Sequence, residues 1–201
     1  ASFRLVWSDK LFAVILLGWM LLGLGWLTTV PLRIEYLASS ESLNLSNSEI
    51  ALLTLVIPSL AKILSLRLFG DLFDRSNFVP FRIVLNFFLI ASVLLFFHST
   101  SFPALCLASI FTGIAFGGSS IAWSLWVTRV APPGKEAAYM SAHVALTGVR
   151  GLIAPFWCYY LLTKTSCSSV ACISAGFLIL STICFLGIWS HKRLKLSMVS
   201  T

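Results

Sequence analysis

Charged residues are scarce in this sequence: Asp, Glu, Lys and Arg make up only 10% of its 201 residues, whereas 58% are apolar. Soluble domains carry about 25% charged residues, and the mean hydropathy of +0.95 leaves too little polar surface for a soluble fold. We therefore predict an integral membrane protein that contacts the lipid bilayer. The 14 basic residues fall between apolar runs rather than clustering with aromatics on a polar face, so no nucleic-acid partner is expected.

The sequence also lacks the patterns typical of metal sites, of signal peptides and of membrane β-barrels. The five cysteines form no CxxC pair, and we expect neither a metal nor a cofactor. The first apolar run lacks a small-residue cleavage site, which argues against a secretory signal peptide. Period-two alternation is absent too, which excludes a closed barrel. Cys167 and Cys172 fall in one predicted loop and could pair only if that loop faces an oxidising compartment.

Six apolar runs are long enough to cross the hydrocarbon core, which takes about 20 residues. These runs cover residues 11–30, 50–69, 82–98, 102–127, 137–162 and 170–189. The third is the shortest, and we expect Arg82 to snorkel at its edge. The sequence thus predicts an all-α membrane fold in which residues 1–201 form a single six-helix transmembrane bundle.

Lysine and arginine are distributed unequally between the two sets of connecting segments. One set carries Arg4, Lys10, Arg67, Arg75, Arg82, Arg129, Lys135, Lys192, Arg193 and Lys195. The other set carries only Arg33 and Lys164. Because cytoplasmic loops carry the excess of Lys and Arg, we predict a multi-pass plasma (inner) membrane protein with both termini in the cytoplasm. Residues 35–49 would then face outward.

The six runs divide into two triplets whose first members are rich in Gly and Trp. The first run has Gly18, Trp19, Gly23, Gly25 and Trp26, and the fourth has Gly113, Gly117, Gly118, Trp123 and Trp126. Gly113 and Gly117 have the spacing of a close-packing helix face, so plain helix packing is one interpretation. The recurrence favours another, in which two inverted three-helix repeats form a transporter and their glycine-interrupted helices line the pathway.

The segment between the second and third runs reads GDLFDRSNFVPFR, residues 70–82. Its Gly70, Leu72, Asp74 and Arg75 match in type and spacing the cytoplasmic loop motif of the major facilitator superfamily, which the chain resembles. Asn77 stands where that motif has a second glycine, and Asn is the next-best residue for the left-handed turn expected there. Two apolar residues replace the basic pair of the motif.

Such a loop can regulate transport by latching one conformation. A carboxylate at a helix terminus can cap a neighbouring helix, and arginines can pair with acidic groups across the seam. We therefore assign Gly70, Asp74 and Arg75 to gating. The alternative is that Asp74 and Arg75 only end a helix in solvent.

The resemblance implies that the chain is one of two six-helix halves. Its start at Ala1 and its short basic tail, residues 191–201, favour the C-terminal half. The partner half would then lie upstream in the same gene, in a separate chain or in a homodimer. The family's first and fourth helices line the central cavity, its second and fifth form the seam between halves, and its third and sixth face lipid. The implied substrate contacts are Trp19, Trp26, Thr28, Thr112, Ser119, Ser120 and Trp123.

Those tryptophans could instead pack against neighbouring helices or anchor at the membrane interface. For Trp126, which is close to Arg129, the interface interpretation is preferred.

Arg150 lies near the midpoint of the fifth run. An arginine at that depth costs about 2.5 to 3.5 kcal/mol on insertion scales, so it should face protein or water. His143 and Thr147 share its helical face, and Gly148 and Gly151 leave room for a helix or a ligand. Arg150 could attract an anionic group of the substrate, or it could pair with an acidic residue and change partners during alternating access. His143 and Thr147 on the same face are assigned to gating with it. Alternatively, Arg150 forms a permanent buried ion pair or a helix-capping contact at the seam.

No Asp or Glu falls in the middle of any run. Proton-driven carriers commonly place a carboxylate in the membrane, so that group would lie in the other half, or His143 would serve instead. A partner acid for Arg150 would also come from outside the chain. Lys62 is expected to snorkel toward the cytoplasmic end of the second run, and His143 can also be a plain packing residue.

These patterns predict part of a secondary active transporter that moves a small organic, anionic or zwitterionic solute by alternating access. We do not expect an enzyme. Six spans with a serine and a histidine are similar to the rhomboid proteases, but residues 117–120 (GGSS) lack the final glycine of Gly-x-Ser-Gly. A non-transporting membrane subunit or channel element remains an alternative, although no Asn-Pro-Ala repeat is present.

Overall fold

A computed structural model of the chain describes residues 8–39 and 43–194, and none of these residues lies in a strand. Six long helices follow one another: α1 Lys10–Ala38, α2 Asn47–Arg75, α3 Phe78–His98, α4 Phe102–Val130, α5 Glu136–Leu162 and α6 Cys167–Gly187. Each is long and apolar enough to cross a membrane, so the prediction of an all-α multi-pass membrane protein is confirmed. Arg4 and Lys195 of the predicted basic set lie outside the described residues.

The first two helices are longer than the apolar runs that predicted them. α1 passes through Pro31 and ends only at Ala38, because proline is tolerated in transmembrane helices whose freed backbone groups find other partners. α2 begins at Asn47, where Ser46 and Glu49 form a capping box, includes a π-helical turn at Leu52–Val56 and ends at Arg75. Because polar residues occur near the ends of both helices, the apolar runs underestimated the lengths of the helices.

The helices pack in the order α2, α4, α3, α6, α1, α5. Exchanging the first three helices with the last three, so that α1 replaces α4, α2 replaces α5 and α3 replaces α6, gives the same order read backwards. The end members α2 and α5 are the least buried of the six. Each therefore has a broad apolar face that no other described helix covers.

Two glycines of α4 allow α2 to approach closely. A Cβ at Gly113 would meet the carbonyl oxygen of Pro58 and would lie 2.6 Å from the Cβ of Ala61. A Cβ at Gly117 would meet the hydroxyl of Ser65. The plain packing interpretation thus accounts for both glycines.

Polar contacts tie the chain segments together at one end of the bundle. The carboxylate of Asp9 accepts a hydrogen bond from the Tyr139 hydroxyl at 2.7 Å and pairs with the Arg193 guanidinium at 2.9 Å. Arg193 also donates to the carbonyl oxygen of Val130. Partial burial raises the pKa of Asp9, but the bonds from Tyr139 and Arg193 outweigh it and hold that pKa below its ordinary value.

We call this the basic end of the bundle, since Lys10, Arg75, Arg129, Lys135 and Lys192 lie near it. At the opposite end, the Tyr36 hydroxyl donates to the carbonyl oxygen of Ser99 at 3.1 Å. Cys167 and Cys172 lie near that end, in α6 rather than in a loop, and both are free thiols. The loop placement was wrong because the helix starts at Cys167, one residue after its cap Ser166.

Candidate functional site

A cavity of about 320 Å³ opens between α1, α4 and α5. Most of the residues predicted to contact substrate line it, together with Thr147 of the gating set: Trp19, Trp26, Ser119, Ser120, Trp123 and Arg150. We call it the Arg150 cavity. Thr28 does not reach it and donates its hydroxyl to the Leu24 carbonyl at 2.7 Å, whereas Thr112 lines a neighbouring cavity.

The Arg150 side chain is only 6% exposed. Its guanidinium donates to the main-chain carbonyl oxygen of Trp19 and lies 5.7 Å from the ring centroid of Trp123. Any Cβ at Gly23 would overlap the guanidinium, whereas Cβ atoms at Gly148 and Gly151 would meet nothing within 4 Å. The room for the arginine therefore comes from α1 and not from the glycines beside it in sequence.

Arg150 has no acidic partner among the described residues, where the ion pair of Arg193 with Asp9 is the only one. The Nε atom of Arg150 also lacks a hydrogen-bond partner there. A buried charge without a counter-charge is costly. The cavity is therefore suited to an anionic group.

A second arginine lies behind the cavity. Arg82 is 0% exposed, with its guanidinium carbon 4.9 Å from the ring centroid of Trp19. Its Nη1 donates to the Ser119 hydroxyl at 3.0 Å, and its Nε donates to the Asn86 side chain at 3.0 Å. Arg82 thus positions a hydroxyl that lines the cavity.

The prediction that Arg82 snorkels at a membrane edge was wrong. Arg82 lies in the second turn of α3, but its side chain turns inward, where Trp19, Ser119 and Asn86 replace water. One signal was available in the sequence: Arg82 and Asn86 are two polar residues four apart in an apolar run, which places them on one helical face.

His143 fills an aromatic box beside the cavity. Its ring centroid lies 4.1 Å from that of Trp123, 5.2 Å from that of Trp126 and 5.5 Å from that of Trp19. Neither ring nitrogen has a hydrogen-bond partner among the described residues. Thr147 donates its hydroxyl to the His143 carbonyl at 2.8 Å. The two residues share the face of Arg150, as the spacing predicted.

Trp126 is fully buried, which contradicts the interpretation that it anchors at the membrane interface. Its ring stacks on Phe12 with centroids 5.9 Å apart. α4 continues to Val130, so Trp126 lies a turn inside the helix end and faces the core.

The residues assigned to gating by the loop motif lie at the basic end. Asp74 and Arg75 are exposed at the end of α2 and form no ion pair within the described part of the chain. A Cβ at Gly70 would meet nothing within 4 Å. Asn77 is extended, with φ −66° and ψ 147°, so the left-handed turn predicted there was wrong. The extended residue instead serves as the N-cap of α3.

Arg129 of α4, a residue outside the motif, contacts the end of α2. Its guanidinium donates to the carbonyl oxygens of Phe73 at 2.6 Å and Ser76 at 2.8 Å. The guanidinium carbon also lies 3.8 Å from the ring centroid of Phe73. A cation at a helix C-terminus satisfies carbonyls that have no partner within the helix. Arg129 therefore ties the end of α2 to α4.

A second cavity, of about 410 Å³, lies between α1, α2 and α4. We call it the Lys62 cavity; it shares Trp26 and Phe116 with the Arg150 cavity, and its polar lining is Arg33, Thr54, Ser59, Lys62 and Thr112. Lys62 lies near the midpoint of Asn47–Arg75 and lines this cavity, and its snorkelling toward the cytoplasmic side stays a prediction. Arg33 lies inside α1, only 5% exposed, rather than in a loop.

Comparison of the chain with models of known protein families and with curated proteins gives no match. No group of three or more His, Cys, Asp and Glu side chains that could hold a metal ion occurs among residues 8–39 and 43–194. The chemistry that the described cavities offer is therefore that of guanidinium, ammonium, hydroxyl and aromatic groups.

Proposed function

We propose that the chain is one six-helix half of a secondary active transporter of the major facilitator type, which moves a small organic anion or zwitterion by alternating access. One observation carries the proposal: Arg150, at the middle of α5, lines a cavity with three tryptophans and two serines and has no acidic partner in the described chain. Ligand sites are typically apolar cavities with a few well-placed polar groups.

The charge of the site supports an anionic substrate. Arg150 bonds the Trp19 carbonyl and Arg82 faces the Trp19 ring, so two guanidinium groups flank one residue. Each arginine inside a membrane costs several kcal/mol unless it is paired or hydrated. A carboxylate or other oxyanion on the solute would supply the missing charge, and the tryptophan rings would hold its organic part.

The architecture supports a two-half transporter. The packing order is unchanged, apart from its direction, when the two helix triplets are exchanged, as expected for internal repeats. The end helices α2 and α5 expose large apolar side chains, among them Leu64 at 81%, Leu152 at 69% and Phe156 at 73%. A second six-helix half packed along both helices would cover these side chains and close the two cavities.

The distribution of basic residues gives the proposed orientation. Lys10, Arg75, Arg129 and Lys135 belong to the basic end, which we assign to the cytoplasm of a plasma (inner) membrane. On this view Arg129, Asp74 and Arg75 act at the cytoplasmic seam, and Gly70 lets the last turns of α2 approach the partner half. His143 and Thr147 lie on the same face of α5 as Arg150, and we assign them to gating, in which their contacts change when substrate binds.

Uptake of matched solutes tests the proposal. The intact protein that contains this chain is reconstituted into liposomes, and uptake is measured for labelled organic anions, zwitterions, cations and neutral solutes of similar size. We expect saturable uptake of at least one anion or zwitterion and none of the cations. Uptake restricted to cations, or an absence of saturable uptake for every solute, would contradict the proposal.

A further inference from the structure

We infer that the Lys62 cavity is a second anion-binding site and that the transported solute carries two anionic groups, one held there and one held by Arg150. The inference rests on the proposed function, since it names the class of solute that the transporter moves.

The two cavities are related by the exchange of helix triplets. The Lys62 cavity is lined by α1, α2 and α4, and the Arg150 cavity is lined chiefly by α1, α4 and α5. Exchanging α1 with α4 and α2 with α5 converts the first set of helices into the second. Both cavities also share Trp26 and Phe116. The Lys62 cavity and the Arg150 cavity are thus neighbours, and corresponding helices of the two triplets line them.

The polar groups of the end helices correspond as well. Lys62 lies near the middle of α2 and Arg150 near the middle of α5. Ser59 precedes Lys62 by three residues and lines the same cavity, as Thr147 precedes Arg150 and lines the other. Residues three apart share a helical face, so each cavity receives a cation and a hydroxyl from its end helix.

The charges of the Lys62 cavity are not compensated inside the chain. The Lys62 ammonium makes no ion pair with any residue that the structure describes. Arg33 donates through Nη2 to the Ser92 hydroxyl at 3.0 Å, but that partner is neutral and the Arg33 Nε has none. Two cations next to one cavity without an acid favour an anionic occupant.

Arg33 is held firmly in place for this role. Its guanidinium carbon lies 4.4 Å from the ring centroid of Phe96 and 4.9 Å from that of Trp26. Its partner Ser92 is itself bonded to the carbonyl oxygen of Ala108 at 2.8 Å. The opposite wall includes Thr54 of the π-helical turn Leu52–Val56, and such turns are frequent at functional sites.

The shared aromatic residues connect the two sites. The rings of Trp26 and Phe116 meet edge to face with centroids 4.9 Å apart. An elongated solute that lies along this pair reaches both cavities, with its apolar middle against the rings and a charged group at each end. Dicarboxylates with a short hydrocarbon chain have this chemistry.

Equilibrium binding of matched acids tests the inference. The probes are succinate, glutarate and adipate, each compared with its monomethyl ester, and the protein is the intact chain-containing transporter in detergent. We expect at least one diacid to bind about tenfold more tightly than its monoester, since a charge-assisted contact contributes that much. Lys62→Gln should remove this advantage without weakening the monoester, and Lys62→Arg should retain it. Arg67→Gln, at an exposed position of the same helix, should change neither affinity.

The outcomes separate this inference from the proposed function. Equal affinities for diacid and monoester, or a diacid advantage that survives Lys62→Gln, would overturn the second site while leaving the Arg150 cavity as a site for one anionic group. Failure of all three diacids to bind would overturn it as well. The proposed function is judged separately, because it fails only if Arg150→Gln leaves binding and uptake of the solute unchanged, if uptake is restricted to cations, or if no solute shows saturable uptake.

Discussion

The guanidinium of Arg150 lies against Gly23 of the neighbouring helix, in space that any side chain at position 23 would occupy. Its hydrogen bond to the carbonyl oxygen of Trp19 is made one helical turn away from that glycine. The Arg150 guanidinium thus contacts α1 at two adjacent positions, Gly23 and the Trp19 carbonyl. Its charge is held at the wall of the Arg150 cavity and not at the membrane surface.

This contact predicts a strong effect of Gly23→Ala. The added methyl group must displace the guanidinium, and a misplaced binding group lowers activity by roughly 10- to 100-fold. Uptake by reconstituted protein, measured beside the yield of folded protein in gel filtration, checks the prediction. Gly176→Ala is the matched control, because a Cβ there would meet nothing within 4 Å, and it should leave uptake unchanged. Normal uptake by Gly23→Ala would show that this position of Arg150 is not required.

The close approach of α2 to α4 predicts that Gly113→Ala destabilises the protein. Alanine is a better helix former than glycine by about 1 kcal/mol, but overpacking costs roughly 1 to 3 kcal/mol. Here the obstacle is the backbone oxygen of Pro58, which cannot rotate away, so the overpacking cost should exceed the gain. Thermal unfolding in detergent should show a lower Tm for Gly113→Ala and an unchanged or higher Tm for Gly148→Ala. A Tm increase for both variants would contradict the tight packing.

Arg129 and Arg75 should differ in their contribution to stability. Arg129→Gln removes two charge-assisted hydrogen bonds to the end of α2, and bonds to charged groups contribute about 1.5 to 3 kcal/mol each. Arg75 is exposed, so Arg75→Gln should change the free energy of unfolding by less than about 0.5 kcal/mol. Denaturant unfolding of both variants measures the difference. A larger loss of unfolding free energy for Arg75→Gln than for Arg129→Gln would mean that the motif residue Arg75, and not Arg129, stabilises this end of the bundle.

The Asp9 contacts predict a pH-dependent contribution to stability. The pKa of Asp9 is lowered in the folded protein, so its contribution is fully present above the unfolded value of about 3.9. It is lost as the pH falls through the lower folded value. Asp9→Asn keeps a good helix cap but loses the pair with Arg193, a partly exposed contact of about 0.2 to 1 kcal/mol.

The corresponding measurement compares the Tm of wild type and Asp9→Asn across pH. Wild type should be the more stable at pH 7, and the difference should shrink as the pH falls below about 4. A difference that stays constant over that range would mean that the carboxylate charge is not what stabilises this end of the bundle.

The number of helices and the face shared by His143, Thr147 and Arg150 could be predicted from the sequence, because both depend on run length and helical spacing alone. The inward turn of Arg82 and the burial of Trp126 could not. Nearly every position in these helices is apolar, so the pattern does not tell which side of a helix faces the bundle. Packing against neighbouring helices decides it.

The Lys62 cavity was not predicted either, for a different reason. Hydropathy ends an apolar run at its first polar residues, whereas α2 continues to Arg75 because the backbone hydrogen bonds continue. The cavity depends on how α1, α2 and α4 pack and on the burial of Arg33 inside a helix that passes through Pro31, and run length indicates neither.

Uptake by an Arg150 variant is the most direct test of whether Arg150 binds an anionic solute. The reconstituted intact protein and its Arg150→Gln and Arg67→Gln variants are compared for uptake of the anion that wild type transports best. We expect Arg150→Gln to fold normally and to lower uptake at least about tenfold, and we expect Arg67→Gln to match wild type. Undiminished uptake by folded Arg150→Gln would show that Arg150 does not bind the transported anion.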